Sequence, residues 1–286
     1  MNPILDQQTG HALNKPAVGN GCPPASDGEP LGAPATAAQA RLTLGQGWAV
    51  YLGTVQQNHV HSHHVLQIAC ASGQPIRMTT DAGEVEAAGH VVASAVPHQL
   101  HTQEPLVLLF LDPALHASQR WSQYADRGVR AMTVEQAQRL VACVKAWQTR
   151  SADTVARAHP RSDRDASLMA WLHGHLQEPV RAKDAASYIG LSESHFLHWF
   201  TDSHGMPFRP YLRWLRLQRV LRILSGGATL TAAAHEAGFA DSAHLSRTFM
   251  ATFGVSPSHL HRATIEVCDT SGPDVSAVLE PVWPTP

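Results

Sequence analysis

The chain has 286 residues, of which 44% are apolar and 15% charged, with a formal net charge of −2. That leaves room for two domains with cores of their own, while no run of eighteen apolar residues is present to cross a membrane. Cys22, Cys70, Cys143 and Cys268 are scattered without a CxxC pair, which argues against a disulfide framework and fits free thiols in a reducing cytoplasm.

Residues 1–40 are rich in Gly, Pro and Ala and poor in large apolar side chains, so a disordered segment is expected there. MNPILDQQTG has no basic stretch followed by an apolar one, so no signal peptide is expected and the cytoplasm is the expected location. From Arg41 the pattern changes to short β-branched and apolar runs: GWAVYLGTV, HVLQIACA, PIRMTT, HVVASAVP and LVLLFLD. Gly73, Asp81 to Gly83, Gly89 and Pro97 break them at the intervals of a small β-barrel or sandwich. Val50, Leu66, Ile68, Val92 and Leu108 would fill such a barrel or line a pocket within it.

After Asp112 and Pro113 the period becomes helical. A short helix is predicted over Leu115 to Tyr124. A longer one runs from Thr133 to Arg150, with Val134, Ala137, Leu140, Val141, Val144 and Trp147 on one stripe. The stripe either packs on its own domain or forms a homodimer contact. Residues 156–164, with Pro160, read as a linker that separates a domain at 41–155 from one at 165–262. The acidic stretch 263–286 reads as a second disordered segment.

The second domain opens with a helix from Asp165 to Leu176, ended near Pro179. GLSESHFLHWFTDSHG, Gly190 to Gly205, then aligns with the later GFADSAHLSRTFMATFG at an offset of 49, so that Ser192 matches Asp241, Phe196 matches Leu245 and Phe200 matches Phe249. Before each turn the offset is 48, pairing Ala185 and Ala186 with Ala233 and Ala234. Each copy reads as a short helix, a glycine turn and a second helix opened by a Ser or Asp N-cap, which makes two helix-turn-helix units. Between them Phe208 to Leu224 forms one helix with a wide apolar surface, stopped at Gly226 and Gly227. A helix of that length could hold two recognition helices in successive major grooves, about 34 Å apart.

The AA…GLS…F…F…G unit, the segment RPYLRWLRL, and GFADSAHLSRTF followed by FGVSPS resemble the AraC/XylS transcriptional regulators over roughly Asp165 to Leu260. The resemblance implies an α+β chain, with a cupin-like N-terminal β-barrel and flanking helices before an all-α domain of two helix-turn-helix units. By position it carries the DNA-facing role to Ser194, His195 and His198 in the first unit and to Ser242, Ala243, His244 and Arg247 in the second. His198 stands where the family has arginine, which implies weaker or pH-dependent reading, because histidine is mostly neutral above about pH 6.5. The implied partners are double-stranded promoter DNA, a small-molecule effector, RNA polymerase and a second copy of the chain. Activation rather than repression follows from the resemblance alone. Residues 177–262 carry nine Lys or Arg against six Asp or Glu, a mildly basic balance, whereas 263–286 holds four acids and no base.

Two histidine groups fall within the expected barrel: HVHSHH, with His59, His61, His63 and His64, and VPHQLH, with His98 and His101. His61, His63, His64, Gln67 and His98 are the candidate effector contacts. In metal-binding cupins an HxH pair and a later histidine converge, and His61, His63 and His98 fit that outline, although Gln67 lies where a glutamate ligand would stand. With nineteen histidines in the chain, hydrogen bonding to an organic effector and ordinary strand histidines are alternative readings. No phosphate loop, GxSxG or HExxH occurs, so no enzyme and no cofactor are expected. The alternative is a metal-dependent cupin enzyme, or a metal sensor, joined to a DNA-binding domain.

Overall fold

In the computed structural model, residues 40–55, 58–71, 73–149, 162–268 and 279 are described. The expectations for residues 1–39, and for most of the linker and of the tail, lie outside them. Strands β1 (Arg41–Gly45), β2 (Trp48–Gly53), β3 (Leu66–Ala71), β4 (Ile76–Thr80), β5 (Gly83–Ala87), β6 (Gly89–Val92), β7 (His98–His101) and β8 (Leu106–Leu111) arise from the short apolar runs. Helices α1 (His116–Ala125) and α2 (Val134–Thr149) follow, close to the predicted bounds, with an unpredicted strand β9 (Val129–Met132) between them.

The strands form two sheets. One has the order β10-β1-β2-β8-β3-β6-β9, where β10 is Thr264–Val267, and the other β5-β4-β7. The class is α+β as expected, but no closed barrel forms among the described residues: no ladder joins the two sheets. The central strands are covered on both faces, which is why β3 and β8 are buried without alternation. Leu66, Ile68, Leu109 and Leu111 face α1 and α2, whereas Ala69, Leu108 and Phe110 face the other way. The wall residues expected to share one interior are thereby divided, with Val50, Leu66 and Ile68 on the helix side and Val92 and Leu108 opposite.

Helix α2 lays Ala137, Leu140, Val141, Val144 and Trp147 on its own sheet, where Trp147 meets Trp48 edge to face at 5.2 Å. Val134 departs from the predicted stripe and is 60% exposed. The stripe is used within the chain and is not a free dimer face.

Helices α3 (Asp163–Gly174), α4 (Ala182–Tyr188), α5 (Glu193–His204), α6 (Phe208–Ser225), α7 (Leu230–Glu236) and α8 (Ser242–Phe253) complete the fold. Helix α3 starts at Asp163, two residues ahead of the predicted start, with Ser162 as its cap, so the last residues assigned to the linker belong to the helix. Helix α6 buries Phe208, Tyr211, Trp214, Leu215, Leu217 and Val220. Its Arg216 donates to the Leu176 and Glu178 carbonyls at 3.1 and 2.8 Å, satisfying the chain just beyond α3. Gly238, at φ +79°, lies against the same Leu176 carbonyl, and a Cβ there would collide with it.

The acidic tail requires correction at its start. Thr264–Val267 pairs in parallel with β1, and Cys268 N–H donates to the Leu44 carbonyl at 2.7 Å. Ile265 and Val267 turn toward the core while Thr264 and Glu266 face water, so this TIEV run supplies the alternation that lets it cover the open edge of β1. Leu279, the one other described tail residue, is buried beside the α2 cluster. The apolar cluster on the opposite face of the large sheet runs without a break into the cores of both helix-turn-helix units.

Candidate nucleic-acid interface and histidine cluster

Helices α4 and α5 form one unit and α7 and α8 the other. In each the short first helix buries an Ala pair, Ala185 with Ala186 and Ala233 with Ala234. The second helix is opened by the predicted cap: Ser192 Oγ accepts from His195 N–H at 3.4 Å, and Asp241 Oδ1 accepts from His244 N–H at 2.6 Å. Phe196 and Phe200 in α5 and Leu245 and Phe249 in α8 are buried at equivalent positions. Gly205 and Gly254 end the two helices in the left-handed conformation.

With those side chains turned inward, the opposite faces are open. Ser194, His195 and His198 are exposed on α5, and Ala243, His244 and Arg247 on α8, while Ser242 is half-buried and its carbonyl accepts from Ser246 Oγ. The Asp241 carboxyl is held below the usual carboxylate range, chiefly by the His244 backbone N–H and also by the Arg247 charge. Arg247 therefore sits exposed in the N-terminal half of α8, within electrostatic reach of the Asp241 cap. Two arginines of α6 are less available, since Arg216 and Arg219 donate to carbonyls at 173, 176 and 178.

Of the candidate effector contacts, His61, His63, Gln67 and His98 come together. One ring nitrogen from each of His61, His63 and His98 lies within 4.8 Å of the others, and all three residues are buried. Each Nδ1–H donates to a backbone carbonyl at 2.8 Å: His61 to His59, His63 to Val65 and His98 to Val96. For His61 and His98 this favours the Nδ1–H tautomer and leaves Nε2 as the lone-pair nitrogen. The His63 Nε2 lies 2.9 Å from the Gln67 Oε1, so both ring nitrogens of His63 face an oxygen acceptor. The His98 Nε2 is buried without a hydrogen-bond partner. Burial pushes His61 down to about 4 and His98 to about 2, with the neighbouring imidazoles adding to the effect, so the cluster is neutral. His64 does not join it; its ring lies near Arg213 of α6.

Asn58 was not legible as a site residue. It accepts from Leu100 N–H at 2.9 Å and donates to the Phe253 carbonyl at 3.2 Å, tying β7 to the end of α8. Beside it an apolar cavity, with about 620 Å³ of empty space including its mouth, is lined by Leu42, Tyr51, Phe110, Trp214, Phe253 and Leu260 among others. The cavity lies between the large sheet and the second unit.

Residues 185–263 match a protein-family profile described as a helix-turn-helix domain. Over 92 residues the chain is 26% identical to the HTH-type transcriptional regulator YpdC of Escherichia coli K12, covering 32% of each protein. Over 96 residues it is 30% identical to the HTH-type transcriptional activator RhaS of Escherichia coli O1:K1, covering 33% of this chain and 34% of that one. The chain thus matches about a third of the length of these curated relatives. Two crystal structures of ToxT from Vibrio cholerae resemble the larger part of it. An apo variant aligns with a TM-score of 0.52 at 11% identity, covering 76% of this chain and 97% of that one. The strain O395 protein aligns at 0.50 and 10%, covering 75% and 96%. At such identity the likeness is one of fold, and it extends through the β region. Residues 185–263 of this chain are accordingly a double helix-turn-helix domain of the AraC/XylS type.

Proposed function

We propose that this protein is a sequence-specific DNA-binding transcription regulator and not an enzyme, working in the cytoplasm as a homodimer that recruits RNA polymerase. The observation that carries this reading is the pair of exposed faces on α5 and α8, each set opposite an equivalent buried pair of large side chains. Arg247 reads a guanine edge, His244 contacts the adjoining base, and Ala243 meets a thymine methyl. Ser194, His195 and His198 make the weaker contacts in the neighbouring groove, and Ser242 takes a phosphate. RhaS, named as an activator, favours activation for this chain.

The reading includes a small-molecule effector. Its entry into the apolar cavity between sheet and second unit is supported by the lining, where Phe110 comes from β8 and Trp214 and Phe253 from the DNA-binding helices. A ligand there would touch both regions at once.

Capture of the DNA bound to the protein in its native cell, followed by gel shift on the recovered fragments, tests the proposal. Promoters with paired half-sites should be enriched, and the genes beside them would indicate the effector. Recovery of no fragment above background, with the protein folded and expressed, would refute it.

A further inference from the structure

We propose that His61, His63 and His98 form a binding site for a divalent transition-metal ion of the zinc class, and that filling it restrains the C-terminal end of the second recognition helix, α8. Three buried imidazoles, each with its Nδ1 at 2.8 Å from a backbone carbonyl, bring one nitrogen apiece within 4.8 Å of the others, and the Gln67 Oε1 lies 2.9 Å from the His63 Nε2. The same carbonyls are the outer partners that orient histidine ligands in metal sites. The His98 Nε2 is fully buried, has no partner, and faces the other two rings, whose centroids lie 4.3 and 5.1 Å from its own.

A buried acceptor with nothing to accept is an unfavourable arrangement that a cation relieves. Nitrogens now up to 4.8 Å apart would close to about 3.4 Å around a tetrahedral ion with Zn–N bonds of about 2.1 Å, a shift within the reach of side-chain rotation. The fourth position falls to water or to the Gln67 Oε1, which already lies beside the cluster. Imidazole without carboxylate or thiolate suits zinc, nickel, cobalt or copper, and not magnesium or calcium.

The second half follows from where the site is anchored. His59 N–H donates to the Gly254 carbonyl at 2.9 Å, Asn58 Nδ2 donates to the Phe253 carbonyl at 3.2 Å, and the His59 carbonyl accepts from His61 Nδ1 at 2.8 Å. One short strap therefore orients a ligand and grips the C-cap of α8. Phe110 adds a second link, with its ring 5.6 Å from His63 and 5.3 Å from Phe253. Drawing His61 and His63 toward an ion pulls on both.

The test uses the full chain, stripped with a chelator and titrated with Co²⁺, with hydrogen exchange read at 250–254. One Co²⁺ per chain should bind with the visible absorption of a four-coordinate, nitrogen-ligated ion, Zn²⁺ should displace it, and exchange at 250–254 should slow at least threefold. His98→Gln should abolish the absorption. Asn58→Ala should keep it while the exchange response is lost. A folded wild-type protein with no Co²⁺ absorption would overturn the site, as would absorption that persists in both His61→Gln and His98→Gln. Absorption with unchanged exchange would overturn the coupling. The effect on operator affinity, expected at about fivefold or more, rests on the proposed DNA-binding role. If no DNA binds in either state that role fails, and the Co²⁺ and exchange results still decide this inference.

Discussion

Arg247 shows how a single position is fixed from both sides of a helix. Leu245 and Phe249 take the buried stripe, so Arg247 projects outward, within electrostatic reach of the Asp241 cap. Arg247→Ala should weaken operator binding by about 1 to 3 kcal/mol with thermal stability unchanged. Equal gel-shift midpoints for variant and wild type would remove Arg247 from the contact set. Outward positions of this kind are legible in sequence because the period of the buried residues dictates them. The histidine cluster is legible by another route: residues 58–65 follow no helix or strand period, and His61, His63 and His98 stand out only by the outline of an HxH pair and a later histidine, which an isolated bridge from β7 brings together. His64, also a candidate, stays apart beside Arg213.

Histidines also set the acid response. Burial pushes His90 below its usual value near 6.5, although its Nε2–H donates to the Ile76 carbonyl at 2.8 Å, and His61 and His98 shift the same way. A folded pKa below the unfolded one means that the unfolded chain binds more protons, so the stabilisation is complete above about pH 6.5 and is lost as pH falls toward the folded values. The melting temperature of metal-free protein should therefore decline from pH 7 to pH 5. His90→Gln should flatten part of that decline; a melting temperature level across the range would contradict the neutral, buried assignment.

At the scale of elements, the paired units rest on a few large side chains. Leu245→Ala should destabilise the domain by about 2 to 5 kcal/mol through a core cavity, measured by urea unfolding. A loss near zero would mean that Leu245 is not the buried anchor. Gly254 is constrained twice: it sits at φ +70°, and a Cβ there would stand 2.5 Å from Asn58 Nδ2 and His61 Nδ1. Gly254→Ala should cost about 1 to 2 kcal/mol from backbone conformation alone, and more because the strap at Asn58 and His59 must move. Sequence signals of this class, caps, glycine stops and buried pairs, placed helices α5 to α8 within a residue or two. They failed for β10, because an acidic tail with Pro reads as solvated and only the uncovered edge of β1 gives TIEV a partner.

For the whole molecule, the main departure is the loss of independence between the two parts. Composition and the proline at 160 suggest two domains with two cores, whereas one apolar cluster joins the large sheet to both helix-turn-helix units, and the end of the second unit completes that sheet. Such merging cannot be read locally: Phe110 or Trp214 is apolar whichever neighbour covers it. The β region is thus built into the support of α8. The central claim is that α5 and α8 enter two grooves on one face of the duplex. Hydroxyl-radical footprinting of the full chain on a recovered promoter tests it most directly. Two protected patches about 10 base pairs apart are predicted, with only one lost in Arg247→Ala; a single patch, abolished whole by that substitution, would contradict it.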